Sequence, residues 1–279
     1  MSMSDSSPPT WGAYAPGPLV RTWLKWLHGM PVCGICRRLA LWLRKPLKSA
    51  LDGWVDVEVW GLRLRLRSRG NLSEQRLIFM PQFLDRAERE GLANQLSGGG
   101  VFLDIGANAG VYSLWVASMG RADVQVEAFE PDPELCASLA FNLQTNGLDG
   151  VRVNELALGR AEGAMQLVAG EGNKGENRVT DGRAAQEGGR EVRVTTLKRF
   201  LEERGIDRVD AMKIDIEGHE LDVLEPFFTD APSEWWPRLL ICEVVHDADS
   251  RLVALLERSG YALSGKGRLN SIFQRKEEA

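Results

Sequence analysis

The segment L-D-I-G-A-N-A-G at 103–110 constrains this chain more than any other: an apolar run runs straight into a glycine turn, and a helical pattern over 109–119 follows. A strand, a tight glycine turn and a helix in that order make an opening βα unit. Its turn lets the backbone approach a ligand, and its helix N-terminus favours an electronegative group. Strand and helix patterns then take turns to the end of the chain. Strands are predicted at 124–129, 151–158, 164–168, 192–195, 209–214 and 238–245. Helices are predicted at 132–146, begun by Asp132 and stopped by Gly147, and at 197–204, 220–228 and 249–259. The closing segments 261–263 and 271–274 read as an antiparallel hairpin. Such alternation predicts an α/β, Rossmann-like sandwich whose mostly parallel sheet is covered on both faces.

What precedes this domain differs in character. Residues 1–18 are rich in Ser, Pro and Gly and read as a disordered tail; 19–97 read as a small N-terminal extension; and 98–279 read as the ligand-binding domain. Within the extension, 19–50 carry Arg21, Lys25, Arg37, Arg38, Arg44, Lys45 and Lys48 with no acidic residue, interleaved with Trp23, Trp26, Leu39 and Trp42. This predicts one or two amphipathic helices, broken near 29–31. They read first as a lid or homodimer arm packing its Trp face on the main domain, and second as a peripheral membrane contact. Alternation over 55–67 predicts two strands turning at Gly61, and 73–96 reads as helical. The Gly-rich, charged stretch 170–190 reads as a mobile loop that could close over a site.

A formal net charge of −5 gives no reason to expect nucleic acid as a partner. Four cysteines are too few for a disulfide scaffold; Cys136 and Cys242 sit in apolar runs, and the lone C-G-I-C at 33–36 reads as local packing rather than a redox or metal motif. With no secretory pattern at the start and no long uninterrupted apolar run, the expected location is cytoplasmic, membrane-peripheral at most.

The ligand chemistry is narrowed by two acids. Glu130 ends the next strand, twenty residues beyond Gly110, where a carboxylate can accept from both hydroxyls of a ribose. A dinucleotide turn would carry glycine where Asn108 stands, and Asp104 at the end of the first strand would repel a pyrophosphate. Both suit S-adenosylmethionine, which has an ammonium and no phosphate. Asp104, Gly106, Asn108 and Gly110 are therefore expected around its methionine part, with Glu130 on the ribose and Asn154 and Glu155 beside the adenine. Further along, M-K-I-D-I-E-G-H-E at 212–220 ends a strand at Asp215 and carries Glu217, and the following strand ends near Glu243 and His246. Strand C-termini face the ligand crevice in such sheets, so these four are the candidate catalytic residues.

With these motifs in order (D-I-G-A-N-A-G at 104–110, F-E-P-D-P at 129–133, N-x-x-x-N at 142–146, A-L-G at 157–159, V-T-T-L at 194–197, K-I-D-I-E-G-H-E at 213–220 and Glu243) the sequence resembles the FkbM-type methyltransferases over roughly 70–275. The resemblance implies a class I methyltransferase fold, S-adenosylmethionine as cofactor, and O-methylation of a sugar, polysaccharide or secondary-metabolite hydroxyl. Lys198 stands where the family usually has an acid, and the region of Pro226 replaces a glycine common near the end of the following helix; both departures are peripheral to the cofactor loop and leave the acceptor unassigned. An alcohol profits from a general base, for which Asp215, Glu217, Glu243 and His246 are the choices. The same carboxylates holding Mg²⁺ is the alternative. An NAD(P)-dependent oxidoreductase would need a G-x-G-x-x-G turn and a catalytic Tyr/Lys or His arrangement, neither of which is evident. A non-catalytic nucleoside-binding or membrane-surface module would have no use for acids at two further strand ends.

Overall fold

The chain begins with two helices, α1 (Pro18–His28) and α2 (Gly34–Ala50), then a hairpin of β1 (Trp54–Val59) and β2 (Leu62–Arg67), and then α3 (Leu72–Phe79) and α4 (Arg86–Gln95). The computed structural model describes residues 8–168, 178–180, 190–244 and 250–276. The alternation at 55–67 does form the expected antiparallel pair, turning at 60–61 and burying Val55, Val57, Leu64 and Leu66. The C-G-I-C segment proves to be a helix start: Cys33 caps α2, its sulfur accepting from the Cys36 N–H at 3.2 Å.

Residues 8–17, expected as part of a disordered tail, are instead tied across the hairpin; residues 1–7 lie outside the described residues. The cause is one buried ion pair. Asp56 Oδ2 accepts from the backbone N–H groups of Gly12 (2.7 Å) and Tyr14 (3.0 Å). Arg65 donates to Asp56 at 2.8 Å and to the carbonyls of Pro9 (2.6 Å) and Thr10 (2.8 Å). Its guanidinium lies against the rings of Tyr14 and Phe141. Composition reads this Ser/Pro/Gly segment as loose, but the two charges that order it lie some 50 residues further on.

The remaining elements follow the predicted alternation: β3 (Gly100–Ile105), α5 (Val111–Ser118), β4 (Val124–Phe129), α6 (Pro133–Asn146), β5 (Val151–Asn154), then β6 (Ala157–Leu158), β7 (Gly163–Val168), β8 (Arg178–Thr180) and β9 (Arg190–Thr195). After these come α7 (Leu197–Arg204), β10 (Ala211–Ile214), α8 (Glu220–Asp230), β11 (Leu239–Glu243), α9 (Ser250–Arg258), β12 (Tyr261–Lys266) and β13 (Asn270–Arg275). Asp132 caps α6, accepting from the Glu134 N–H at 2.8 Å, and Gly147 ends it in the left-handed region, as read from the sequence.

Seven strands form the central sheet in the order β12-β13-β11-β10-β3-β4-β5. β13 runs against both its neighbours and the other contiguous pairs are parallel, so it alone is reversed. Chain order reverses between β3 and β10, which opens a crevice above the carboxyl ends of these two strands. This is the Rossmann-like class I methyltransferase arrangement, closing hairpin included. One run is divided: 151–158, expected as one strand, splits into β5 of this sheet and β6 of a second, four-stranded sheet, β6-β9-β7-β8.

Both faces of the central sheet are covered. One core takes Phe102, Val126, Ala128 and Ile241 from the strands, and α1–α6 with the β1–β2 hairpin pack on it. The other takes Leu103, Met212, Ile214 and Leu240 and is closed by α7, α8 and α9. The first core unites the 19–97 extension with the 98–279 domain. The seam is polar as well as apolar: Asn142 and Asn146 of α6 accept from the backbone N–H groups of Arg65 and Arg63 at 2.6 and 2.8 Å.

Because the Asp56–Arg65 pair is buried, Arg65→Ala leaves an uncompensated carboxylate and releases residues 8–17. Equilibrium denaturation is expected to show a loss of about 3–5 kcal/mol, with faster proteolysis near the N-terminus. Burial tends to raise the Asp56 pKa, but the Arg65 hydrogen bond and the Tyr14 and Gly12 N–H groups outweigh it and hold it below the usual value. This stabilisation is therefore present above the unfolded carboxyl value of about 4 and is lost as pH falls further.

Candidate active site

The glycine turn sits at the mouth of the crevice, and its shape depends on residues from three strands. Gly106 has φ +74°, and a Cβ there would collide with the Asp215 carbonyl at the end of β10, so only glycine lets the two strand ends close up. Gly110 (φ +75°) starts α5 directly against Leu139 of α6, where a Cβ would also collide. Between them Asn108 takes φ +53°, a conformation Asn tolerates better than most side chains. Its Oδ1 accepts from the Ala109 N–H and from Asn71 Nδ2, both at 2.6 Å, tying the turn to the N-terminal cap of α3.

The Asn108 N–H donates to Glu130 Oε2 at 2.8 Å, and the Asp132 N–H donates to Glu130 Oε1 at 2.9 Å. One carboxylate thus fixes both the glycine turn and the β4–α6 turn, and each oxygen keeps a further lone pair. Burial pushes the Glu130 carboxyl up to about 7 even against these two N–H donors.

Two cavities meet at this turn. The larger, about 640 Å³, is bounded by Glu130 and by apolar groups including Phe129, Leu156, Leu158 and Met165, so the second sheet supplies one of its walls. The smaller, about 420 Å³, lies towards the N-terminal extension and is more polar, with Arg76, Asp85, Tyr112, Lys213, Glu243 and Asn270 on its walls. Gly106, Asn108, Asp215 and Glu217 line both.

Lys213 stands at the junction, buried, with Nζ 3.1 Å from Asp215 Oδ2 and 3.4 Å from the Gly106 carbonyl. Burial works to lower its pKa, but the carboxylates of Asp215 and Asp104 prevail and hold it above the usual lysine value, so it is an ammonium. Glu243 is pushed the other way: partial burial, then the charges of Asp215, Glu217 and Glu220, raise its carboxyl above the ordinary range. Across the smaller cavity, Asn270 Nδ2 donates to the Tyr112 hydroxyl at 3.1 Å, and that hydroxyl donates to Asp85 Oδ2 at 3.1 Å.

A family profile for the methyltransferase FkbM domain matches residues 104–263, which include the glycine turn, Glu130 and the junction. The chain belongs to the FkbM methyltransferase family. It is an S-adenosylmethionine-dependent methyltransferase. It is 30% identical over 226 residues to the 31-O-demethyl-FK506 methyltransferase FkbM of Streptomyces tacrolimicus, covering 69% of this chain and 84% of that one. It is 26% identical over 227 residues to the AMB antimetabolite synthetase AmbE of Pseudomonas aeruginosa; the match covers 68% of this chain but spans only 10% of that protein's length. Among solved structures, the methyltransferase FkbM from Methylobacillus flagellatus KT is similar at 19% identity and a TM-score of 0.45, covering 63% of this chain and 43% of that one.

The cofactor and catalytic residues read from this methyltransferase's sequence divide in space. Gly106, Asn108, Glu130, Asp215 and Glu217 line the larger cavity, and Glu243 joins the shared residues in the smaller one. Of the others that are described, Asp104, Gly110, Asn154 and Glu155 lie off the walls. Asp104, expected beside the cofactor, is fully buried and turned to α5, its Oδ2 accepting from the Ser113 N–H (3.0 Å) and hydroxyl (2.7 Å). Gly110 serves the packing of α5. Asn154 is taken up by Glu127 Oε2, the Ala128 carbonyl and Arg204. Glu155 pairs with Arg190 at the surface, and Leu156 to Leu158 stand on the cavity wall in its place. His246 and most of the 170–190 loop lie outside the described residues. Among the described residues no cluster of three or more His, Cys, Asp or Glu is placed to hold a metal ion, which leaves the magnesium variant without support.

Lys213, Tyr112, Asp85 and Asn270 were not picked out from sequence. Lysine between Met212 and Ile214 in an otherwise apolar strand is a readable signal, since lysine is rarely buried unpaired. Nothing local marks the other three, which come together from α5, the start of α4 and β13.

The Asn108 linkage gives a direct test. Asn108→Ala loses both Oδ1 hydrogen bonds and puts alanine at positive φ, so denaturant unfolding is expected to report a loss of about 2–3 kcal/mol. A change within about 0.5 kcal/mol, the scatter of ordinary surface substitutions, would mean that the turn is not held in this way.

Proposed function

We propose that this enzyme transfers the methyl group of S-adenosylmethionine to a hydroxyl oxygen of an acceptor seated in the smaller cavity. The observation that carries the proposal is the junction: an apolar cavity with one ribose-directed carboxylate opens, past Gly106 and Asp215, into a polar cavity containing an acid of raised pKa. The similarity to a relative named for methylation at an oxygen supports the same reading.

The residues present fit the cofactor. The spare lone pairs of Glu130 suit two ribose hydroxyls, the wall of Phe129, Leu156 and Leu158 suits a purine plane, and the carboxylates of Asp215 and Glu217 suit a cationic amino-acid end. When bound, S-adenosylmethionine supplies a methyl on a sulfonium whose sulfur leaves as a neutral thioether. The chain's own work is alignment and proton removal. The Glu243 carboxylate would take the proton of the acceptor hydroxyl as that oxygen is methylated. Lys213 holds Asp215 and the Gly106 carbonyl in place, and its positive charge favours the electron-rich oxygen. The hydrogen-bonding row of Asp85, Tyr112 and Asn270 suits a polyhydroxylated acceptor, a sugar or an oxygen-rich metabolite.

Two measurements test this. Only an ionised Glu130 has acceptor sites enough for two ribose hydroxyls beside its two N–H donors, and burial pushes its carboxyl up to about 7. Below that pH binding must first release its proton. Calorimetric affinity for S-adenosylmethionine is therefore expected to weaken by up to about tenfold per pH unit below about pH 7. Proton release should accompany binding there, and Glu130→Gln should abolish both the pH dependence and most of the affinity.

In a screen of hydroxylated acceptors, Glu243→Gln is expected to lower kcat by about 10²–10⁴-fold while cofactor affinity stays within about twofold. Wild-type kcat/KM should rise with pH through a value above the ordinary carboxylate range of about 4.3. Methyl transfer confined to nitrogen or carbon acceptors would refute the hydroxyl assignment.

A further inference from the structure

Helices α1 and α2 carry two apolar faces each, and the fold uses only one. On the used face Leu24, Leu27, Ala40 and Leu47 are buried and Trp23 packs against the core, as a lid or arm would. The other face is bare. In α2, Ile35, Leu39 and Trp42 recur at i, i+4 and i+7, one above another on the helix surface, and are 79%, 43% and 65% exposed. In α1, Leu19 and Trp26 recur at i and i+7 and are 85% and 55% exposed. Val32, in the turn between the helices, is also exposed.

Positive charge flanks these stripes. Arg21 and Lys25 share a side of α1; Arg38 and Lys45 lie along one edge of the α2 stripe, and Arg37, Arg44 and Lys48 continue the basic surface away from it. Residues 19–50 hold seven basic groups and no acid. With a chain total of −5, that leaves −12 on everything else. Despite that surplus, no ion pair joins any of the seven to a carboxylate among the described residues. Arg44 is crowded by its own kind: burial first, then the positive charges of Arg76 and Arg37, lower its pKa. A protein core does not need such a face, and a second copy docked through the same face, as two-fold symmetry requires, would set basic groups against basic groups. An anionic bilayer supplies both a plane of negative headgroups and an apolar layer deep enough for two tryptophans.

We infer that the exposed face of α1 and α2 docks on an anionic lipid bilayer, with Trp26, Trp42 and Ile35 entering the headgroup boundary and the flanking Arg and Lys side chains on the lipid phosphates. Attachment is peripheral; no helix among the described residues is long and apolar enough to cross a membrane. The face connects to the site through α3. His28 Nε2 donates to the Ile78 carbonyl at 2.8 Å and Gln82 Nε2 to that of Leu27 at 2.7 Å. Leu72, Ser73 and Arg76 of the same helix line the smaller cavity. A docked enzyme therefore holds that cavity close to the membrane, which fits an amphiphilic or lipid-linked acceptor. This last step rests on reading the smaller cavity as the acceptor site, whereas docking itself does not.

The test is co-sedimentation of the full chain with phosphatidylcholine vesicles, with and without about one-third phosphatidylglycerol. The protein is expected to pellet with the anionic vesicles, to stay in solution with the neutral ones, and to be released at about 1 M salt. Trp26→Ala/Trp42→Ala and, separately, Arg38→Glu/Lys45→Glu should each weaken anionic-vesicle binding by at least about tenfold. Calorimetric affinity for S-adenosylmethionine should not change, since none of the four residues lies in either cavity. That unchanged affinity certifies folding and separates docking from the cofactor assignment. Failure of the wild type to bind anionic vesicles, equal binding to neutral ones, or wild-type binding by both variants would overturn the inference. So would a dimer that the Trp variant dissociates with no vesicle binding by the parent, which would assign the face to a second copy.

Discussion

Everything at the centre of this enzyme depends on a buried ammonium. Lys213 lies one strand away from Asp104 in register, beneath the glycine turn, and reaches Asp215 at the end of its own strand. β3 and β10 are paired neighbours at the point where chain order reverses, and three charged side chains so buried together are tolerable only as partners of one another. Burial raises the Asp104 carboxyl, and Lys213 and the two Ser113 hydrogen bonds offset this only in part. The arrangement fixes the start of α5, the Gly106 carbonyl and the Asp215 carboxylate as one unit. Gly106 and Asp215 of that unit stand on the walls shared by both cavities.

Around that unit, the N-terminal extension is part of the enzyme body rather than an appendage. Its hairpin packs on α6, its α3 cap reaches Asn108 in the cofactor turn, and its α3 and α4 supply Arg76 and Asp85 to the smaller cavity. The larger cavity is bounded by elements common to the βα alternation together with the second sheet. The smaller one is bounded by elements from the two ends of the chain, α3 and α4 at one and β13 at the other. Apart from the shared Gly106, Asn108, Asp215 and Glu217, the two cavities thus draw their walls from different parts of the sequence. The family's shared motifs reach both, Glu130 on the larger and Lys213 and Glu243 on the smaller, and the departures at Lys198 and Pro226 lie on neither set of walls.

The fold was legible because its signals are local. The glycine turn, the Asp132 cap, the Gly147 stop and the apolar strands each act within a few residues, and the observed helices and strands lie within a few residues of the predicted ones. Where local reading broke down, a distant partner had intervened. Residues 8–17 look unstructured until Asp56 and Arg65 are placed beneath them. Asn154 looks like an adenine contact until Glu127 and Arg204 claim it. Asp104 reads as a ligand contact because strand ends face the crevice; its side chain turns instead to α5, where two Ser113 donors await it.

The sequence by itself determined the order of strands and helices, the glycine turn with its Asn108, and the acid at Glu130 beside it, because turn geometry and motif spacing are written in contiguous residues. It also determined that residues 19–50 form basic amphipathic helices. Only the tertiary structure decided which apolar face of those helices stays exposed, and that Lys213, Tyr112, Asp85 and Asn270 share one cavity. Burial and pKa are properties of neighbours, and those neighbours come from up to 185 positions apart in the chain, from Asp85 to Asn270. A local pattern carries no record of them.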